Sequence, residues 1–152
     1  MRSQIVEIRH MLEEDIEKVH AFGLSDFSFS VSNDVHFYEK EELLEWIHTP
    51  KQNILLIGTM DGGVVGFLYT HIISKLWGIL DGLYVKPDLR GHGIGTKMYN
   101  TAYQELQSRG VEYISVQLDV NDSDSRGFIL NKGFRTLKTY SWYGKDIEVH
   151  PK

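Results

Sequence analysis

Apolar positions along the chain change period several times, and each change marks an element. Gln4 to Arg9 carries Ile5, Val6 and Ile8, a β-branched run that suits a first strand. Leu12, Ile16 and Val19 then recur at helical spacing. Glu13, Glu14 and Asp15 fall in the opening turn, where the helix dipole favours negative charge, and Gly23 reads as the stop. Glu39 to His48 reads as a second, acidic helix bearing Leu43, Leu44, Trp46 and Ile47. Asn53–Met60 and Val64–Ser74 are apolar runs joined by Asp61-Gly62-Gly63, residues that supply the positive φ of a tight hairpin. Trp77 to Val85 is a further strand, and the glycine inside it, Gly82, marks a bulge or a close backbone approach.

Gly93 to Arg109 is the clearest helix, with Ile94, Met98, Ala102 and Leu106 in one stripe widened by Tyr99 and Tyr103, and Gly110 as its stop. Ile114, Val116, Leu118 and Val120 alternate with polar residues as a strand requires. A short helix over Ser123–Asn131 and a last strand or hairpin over Phe134–Trp142 complete a β-α-α-β-β-β-α-β-α-β order. That order predicts an α+β fold around one central sheet. Residues 24–38 have no period but hold Phe27, Phe29, Phe37 and Tyr38, so they pack on the body or line a binding site.

The 152 residues contain no repeat and no linker-like cluster, so a single domain over 1–152 is expected. There is no cysteine, which excludes disulfides, thiolate metal sites and cysteine nucleophiles. The seven histidines show no ligand spacing, so no metal is expected. A net charge of −5 argues against nucleic acid as a partner. No run approaches the ~20 apolar residues of a membrane span, and a cytoplasmic location is expected.

Candidate chemistry centres on Leu83-Tyr84-Val85-Lys86-Pro87-Asp88-Leu89-Arg90-Gly91-His92-Gly93-Ile94-Gly95-Thr96, where a strand ends, a glycine-rich turn follows and a helix begins. The start of a helix leaves backbone N–H groups without partners at the positive end of the dipole, which makes an anion site. Gly91, Gly93 and Gly95 let a diphosphate approach that backbone. Lys86, Arg90 and Lys97 outnumber Asp88 locally. Two other phosphate motifs fit poorly. The P-loop needs Gly-Lys-Ser/Thr, and Gly95-Thr96-Lys97 reverses it. The dinucleotide fingerprint needs Gly-x-Gly-x-x-Gly near a first strand, not Gly91-x-Gly93-x-Gly95 after the fourth.

Arg90-x-x-Gly93-x-Gly95 resembles the acyl-CoA motif of the GNAT superfamily of N-acyltransferases. Further likeness spans nearly the whole chain. Leu83-Tyr84-Val85-x-Pro87 precedes the motif and Ile94-Gly95-Thr96 continues it. Ile8-Arg9 with Asp15-Ile16, Leu118-x-Val120-Asn121, and Gly133-Phe134 occur in the family's order. The resemblance implies a mixed, mostly antiparallel sheet with a bulged, splayed fourth strand and about four helices. It implies acetyl-CoA, or another acyl-CoA, as cofactor. Backbone groups of Leu83 and Val85 flanking Tyr84 would pair with the pantetheine arm. Amides of Arg90, Gly91, His92, Gly93, Ile94, Gly95 and Thr96 would hold the pyrophosphate, with the His92 ring pointing outward. Gly82 would sit at the bulge, and Asn121 would lie near the cofactor or serve as a turn residue.

The implied reaction is acyl transfer to a primary amine of a small molecule, a peptide or a protein. It needs deprotonation of a group with pKa around 10.4 and a donor for the oxyanion. Asp81 is the candidate base, since a glutamate often stands there in polyamine-type members; otherwise it supports the bulge or faces solvent. The backbone N–H of Leu83 is the implied oxyanion donor. The family's usual tyrosine acid is replaced by Ile129, which leaves Tyr140 or Tyr143 on the last strand as substitutes, or ordinary sheet aromatics. The residues 27–38 would form the acceptor wall, and Glu39, Glu41, Glu42 and Glu45 suit a cation or merely a solvated helix face. A homodimer is compatible with this reading. The alternative is a module that binds acyl-CoA without turnover.

Overall fold

A computed structural model describes residues 5–32 and 34–149. The chain divides into two compact units, residues 1–117 and 118–152. The first holds a five-stranded sheet in the order β1 (Val6–His10), β2 (Asn53–Met60), β3 (Gly63–Ser74), β4 (Trp77–Val85) and β5 (Tyr113–Ser115). Successive strands pair antiparallel from β1 to β4, while β5 runs parallel to β4. It also holds α1 (Ile16–Ser25), α2 (Lys40–Ile47) and α3 (Ile94–Ser108). The second unit contains α4 (Ser123–Asn131). This is the mixed, mostly antiparallel sheet with four helices that the sequence implies. Gln4, the first residue of the expected first strand, lies outside the described residues. No helix among the described residues is long and apolar enough to cross a membrane.

α3 lies on one face of the sheet and buries the expected stripe of Ile94, Met98, Ala102 and Leu106, together with Tyr99. Each such aliphatic side chain gains roughly 1.5–3 kcal/mol by leaving water. Tyr103 does not widen the stripe, because it stands exposed one turn round from Tyr99. The sheet accepts α3 closely at Gly66. A Cβ there would lie 2.5 Å from the Tyr84 carbonyl and 3.1 Å from Met98 Cε. The hairpin between β2 and β3 turns through Asp61 at φ 52° and Gly62 at φ 81°, as Asp-Gly-Gly predicts.

The opposite face carries Leu55, Ile57, Phe67, Tyr69 and Tyr84 against α1, α2 and the segment between them. Here the aromatic residues of 27–38 serve mainly as packing. Phe37 is buried, Phe29 lies 5.7 Å from Phe67, and Phe27 alone points out to solvent. Gly23 does not end α1. It sits inside the helix, where an added Cβ would meet the Phe37 ring at 2.3 Å. The helix stops instead after Ser25, with Asp26 extended and its carboxylate accepting the Ser28 N–H.

Three further expectations are corrected. Leu12 lies ahead of α1 and is exposed, because a 3₁₀ turn over Glu13–Asp15 resets the helical phase. The strand expected over Ile114–Val120 is only Tyr113–Ser115; its ladder with β4 ends at Ile79, two residues short of an irregularity at Asp81. No strand forms over 134–142.

Arg9 on β1 holds buried Asp15 by two hydrogen bonds, at 2.6 and 2.9 Å, and the Leu12 N–H adds a third at 2.8 Å. Burial pushes the Asp15 carboxyl up, but the Arg9 hydrogen bonds, the Leu12 N–H and the guanidinium charge outweigh it and hold the group below its ordinary value. A depressed carboxyl stabilises the fold above the unfolded value near 3.9, and that contribution is lost as pH falls through the folded value. Asp15→Ala is expected to cost about 2 kcal/mol near neutral pH, less than a fully buried pair because Arg9 keeps part of its solvent. Urea denaturation should show the difference from the parent shrinking below about pH 4.

Candidate active site

Between β3 and β4 the register slips by one residue. Tyr69 pairs with Gly82 and Thr70 with Leu80, so Asp81 is the extra residue of a bulge. The sequence placed the bulge at Gly82; the inserted residue is its neighbour, and Gly82 remains a paired position. A bulge bends the strand and increases its twist. Pairing of β4 with β5 ends just before it, at Ile79. Among the described residues no strand covers the outer edge of β4 from Leu80 to Val85.

Backbone polarity on that edge follows from the ladder. The Lys86 N–H donates to the Val65 carbonyl at 2.9 Å. Antiparallel pairing alternates, so Tyr84 faces β3 with its amide while Leu83 and Val85 turn theirs outward. The Val85 carbonyl is already engaged, since Arg90 Nε donates to it at 2.7 Å. The Arg90 guanidinium also lies over the Tyr84 ring and 3.7 Å from the Asp26 carboxylate. Its side chain therefore braces the end of β4.

The turn after β4 behaves as its glycines require. Gly91 and Gly93 have φ of 80° and 84°, left-handed values that other residues adopt at a cost of about 1 kcal/mol or more. A Cβ at either position would meet nothing within 4 Å, so open space lies in front of this backbone. Gly93 caps α3 without any side-chain hydrogen bond, and the first turn holds no acidic residue. His92 is exposed, and its Nδ1 donates to the Arg90 carbonyl at 3.0 Å, which holds the turn's shape. The amides of Ile94 and Gly95 thus stand at the positive end of a fifteen-residue helix. Thr96 completes that first turn, and Lys97 donates its ammonium to the Val6 carbonyl of β1.

On the α1–α2 face of the bulge stands a cluster that the sequence did not single out. Tyr69 stacks on Trp46 at 4.5 Å, and Tyr38 meets both edge-on, at 4.8 Å from Trp46 and 5.7 Å from Tyr69. Burial raises Tyr38 to about 12, helped by the charges of Asp81 and Glu42. Tyr69 is pushed up by the same causes with burial again the largest. The Asp81 carboxyl itself is raised above the ordinary aspartate value by loss of water, against a smaller opposing pull from His71. Period-two alternation on β3 aligns Phe67, Tyr69 and His71, but three strands and two helices had to fold before Tyr38, Trp46 and Asp81 could join them. A groove of about 300 Å³ near the β3–β4 turn, lined by Lys51, Lys75 and Arg109 among others, is separate from this cluster. Among the described residues no three histidine or carboxylate side chains are grouped as a metal requires.

The remaining predicted residues belong to the second unit. Asn121 precedes α4 in a turn, its N–H donating to the Asp119 carboxylate at 2.8 Å. Ile129 is buried on α4. Tyr140 and Tyr143 are exposed and lie on no strand.

A mostly antiparallel sheet with one bulged, half-uncovered strand that feeds a glycine turn and an uncapped helix defines an acyl-CoA-binding fold. The chain belongs to the acetyltransferase (GNAT) family, whose model matches residues 16–134. It is an acyl-CoA-dependent N-acetyltransferase, and its cofactor is acetyl-CoA. An uncharacterized N-acetyltransferase of Archaeoglobus fulgidus is 24% identical over 86% of this chain and 93% of its own length. The PaiA N-acetyltransferase of Thermoplasma acidophilum, solved with coenzyme A, superposes with a TM-score of 0.80 at 21% identity, covering 90% of this chain and 93% of that one. An aminoglycoside acetyltransferase from an uncultured soil metagenomic sample, solved with sisomicin, gives 0.75 at 17% identity over 93% and 97%.

The open space before Gly91 and Gly93, the uncapped helix and the outward amides of β4 fit a diphosphate with an extended arm. Gly93→Glu is expected to abolish the melting-temperature rise produced by coenzyme A. The left-handed φ makes the variant itself less stable, by about 1 kcal/mol. An undiminished rise in that variant would place the coenzyme elsewhere.

Proposed function

We propose that the protein transfers the acetyl group of acetyl-CoA to a primary amine, carried by a small cationic molecule or a peptide, by direct attack with both substrates bound. The observation that carries this reading is the bulge. It puts a carboxylate of raised proton affinity two residues from the outward amide of Leu83, on an edge that no strand among the described residues pairs with. A free alkylamine is protonated at neutral pH and has no lone pair to attack with. Asp81, acting through a water, takes that proton; it is open to solvent, and its raised value makes it a stronger base than an ordinary aspartate. The Leu83 N–H, held rigid within the strand, donates to the oxygen on which negative charge develops. The outward amides of β4 hold the arm, and the amides from Arg90 to Thr96 hold the diphosphate.

The chemistry that acetyl-CoA supplies when bound is an activated acetyl thioester whose thiol, with pKa near 8.5, needs no strong acid to leave. That suits a chain with buried Ile129 at the position where the family resemblance leads one to expect a tyrosine. The exposed carboxylates Asp81 and Glu42, whose charges both act on Tyr38 and Tyr69, favour a cationic acceptor. Relatives crystallised with coenzyme A and with an aminoglycoside support the same pairing of cofactor and amine.

Thiol release from acetyl-CoA is the assay, run over a panel of polyamines, amino sugars and peptide amines. Asp81→Asn should lower kcat by about a hundredfold while coenzyme A binding is kept. Only the unprotonated carboxylate accepts a proton, so kcat/KM of the parent should fall as pH drops through a value above the ordinary 3.9. That acid limb should vanish in the variant. A limb that persists there would assign the base to another group.

A further inference from the structure

The residue after the inserted Asp81 is a glycine, and a ring from a distant segment rests on it. A Cβ on Gly82 would lie 3.4 Å from Phe29 Cε1 and 3.7 Å from Phe67 Cε2. Gly82 is not among the glycines with left-handed φ, so the backbone does not demand it. What the missing side chain provides is a seat for the edge of the Phe29 ring. Phe29 also meets Phe67 at 5.7 Å and Phe37 edge-on at 5.4 Å, and it stays only half-buried. It therefore lies over the residue between Asp81 and Leu83 and still has surface to offer a ligand.

Phe29 ends a 3₁₀ turn over Phe27–Phe29, and Asp26 sets that turn from both of its oxygens. Oδ1 accepts the Ser28 N–H at 2.9 Å and caps the turn. Oδ2 lies 3.7 Å from Nη2 of Arg90, in the glycine turn that follows β4. Arg90 is held without help from Asp26. Its Nε donates to the Val85 carbonyl at 2.7 Å, and its guanidinium lies 5.5 Å from the centre of the Tyr84 ring. A guanidinium fixed by two other contacts loses little freedom on meeting a third. A part-exposed pair at this separation adds little to stability by itself. A carboxylate that also caps a turn, however, fixes where that turn points.

We propose that Phe29 is the acceptor wall of the reaction site and that Asp26 is the positioning residue that seats it, anchored through Arg90 to the glycine turn. The inference rests on the reading that the amine is deprotonated at Asp81 and attacks beside the Leu83 amide. An amine reaching both groups from the aromatic face passes the edge of Phe29, because Gly82 between them carries no side chain of its own. The ring supplies the apolar contact that a side chain of β4 would otherwise give, and its position sets the line along which the amine's carbon chain enters. A loosely held ring would have to be ordered each time an acceptor binds, and Asp26 orders it in advance. The glycine turn and the acceptor wall thus rest on one guanidinium.

Two measurements on the full chain test this. In the ligand-free protein, a nuclear Overhauser contact between a Gly82 Hα and the Phe29 ring should be present in the parent and lost in Asp26→Ala. It should be weakened in Asp26→Asn, which keeps the cap and loses the charge. Thiol release is then followed with acetyl-CoA and spermidine, kanamycin or a lysine peptide. Asp26→Ala should raise the amine KM at least about fivefold. Its kcat and its KM for acetyl-CoA should stay within about twofold, because Arg90 keeps Val85 and Tyr84. Phe29→Ala should raise the amine KM at least as much, and the double variant should be no worse than Phe29→Ala, since Asp26 acts only through the ring. Additive effects in the double variant overturn the proposal and leave Asp26 as a charge that attracts the amine. An Overhauser contact kept in Asp26→Ala overturns it too, as does a KM for acetyl-CoA that rises as far as that of the amine. No turnover of any amine by the parent removes the amine reading and the wall with it. Turnover with an unchanged amine KM in folded Asp26→Ala removes the wall alone.

Discussion

β4 takes in one residue more than β3 at Asp81, and the site is arranged around that slip. A regular ladder would pair the amides of β4 alternately with the strand on either side. The slip bends the strand, and β5 parts from it after Ile79. The amides of Leu83 and Val85 are then left facing an edge that no strand among the described residues pairs with. The same slip sets an exposed acidic side chain beside the aromatic cluster, and partial burial raises its affinity for a proton. One backbone irregularity thus places an open strand edge and a carboxylate of raised proton affinity within two residues of each other.

Packing on both faces keeps the slip in place. α3 presses Met98 against the sheet near Gly66, a position with no room for a side chain. On the other face Phe29, Phe37 and Phe67 interlock, and Phe22 stacks on Tyr84 at 4.9 Å. Arg90 ties the end of β4 to its own turn through the Val85 carbonyl. The Arg90 side chain therefore shapes the backbone, while the amides at the start of α3 have no side-chain cap. An amide held in a helix cap cannot swing away, so it costs little ordering when a ligand arrives.

The aromatic cluster and the polar network behind it serve different ends. Tyr38, Trp46 and Tyr69 pack ring against ring and give the Asp81 side an aromatic wall. Asn53 satisfies Tyr69 and His71 with a single oxygen and leaves no buried polar atom of its own unpaired. A buried amide so completely engaged has one orientation, and it transmits that orientation to the imidazole.

Local patterning alone determined much of this protein. Alternation and helical spacing gave the strands to β4, the stripe on α3, the Asp61-Gly62 turn and the glycine cap at Gly93, because each depends on neighbours within a few residues. The Arg90-x-x-Gly93-x-Gly95 motif was legible for the same reason. Only the tertiary structure decided that Gly23 is a seat for Phe37, that Asp81 and not Gly82 is the inserted residue, and that the alternating run after Tyr113 stops at Ser115. Those outcomes turn on what lies across the gap: a ring from a distant segment, the register of a neighbouring strand, a partner edge that bends away. The meetings of Asp26 with Arg90 and of Phe29 with Gly82 are of this kind. Segments far apart in the chain contribute to each, and no spacing within one of them announces the other.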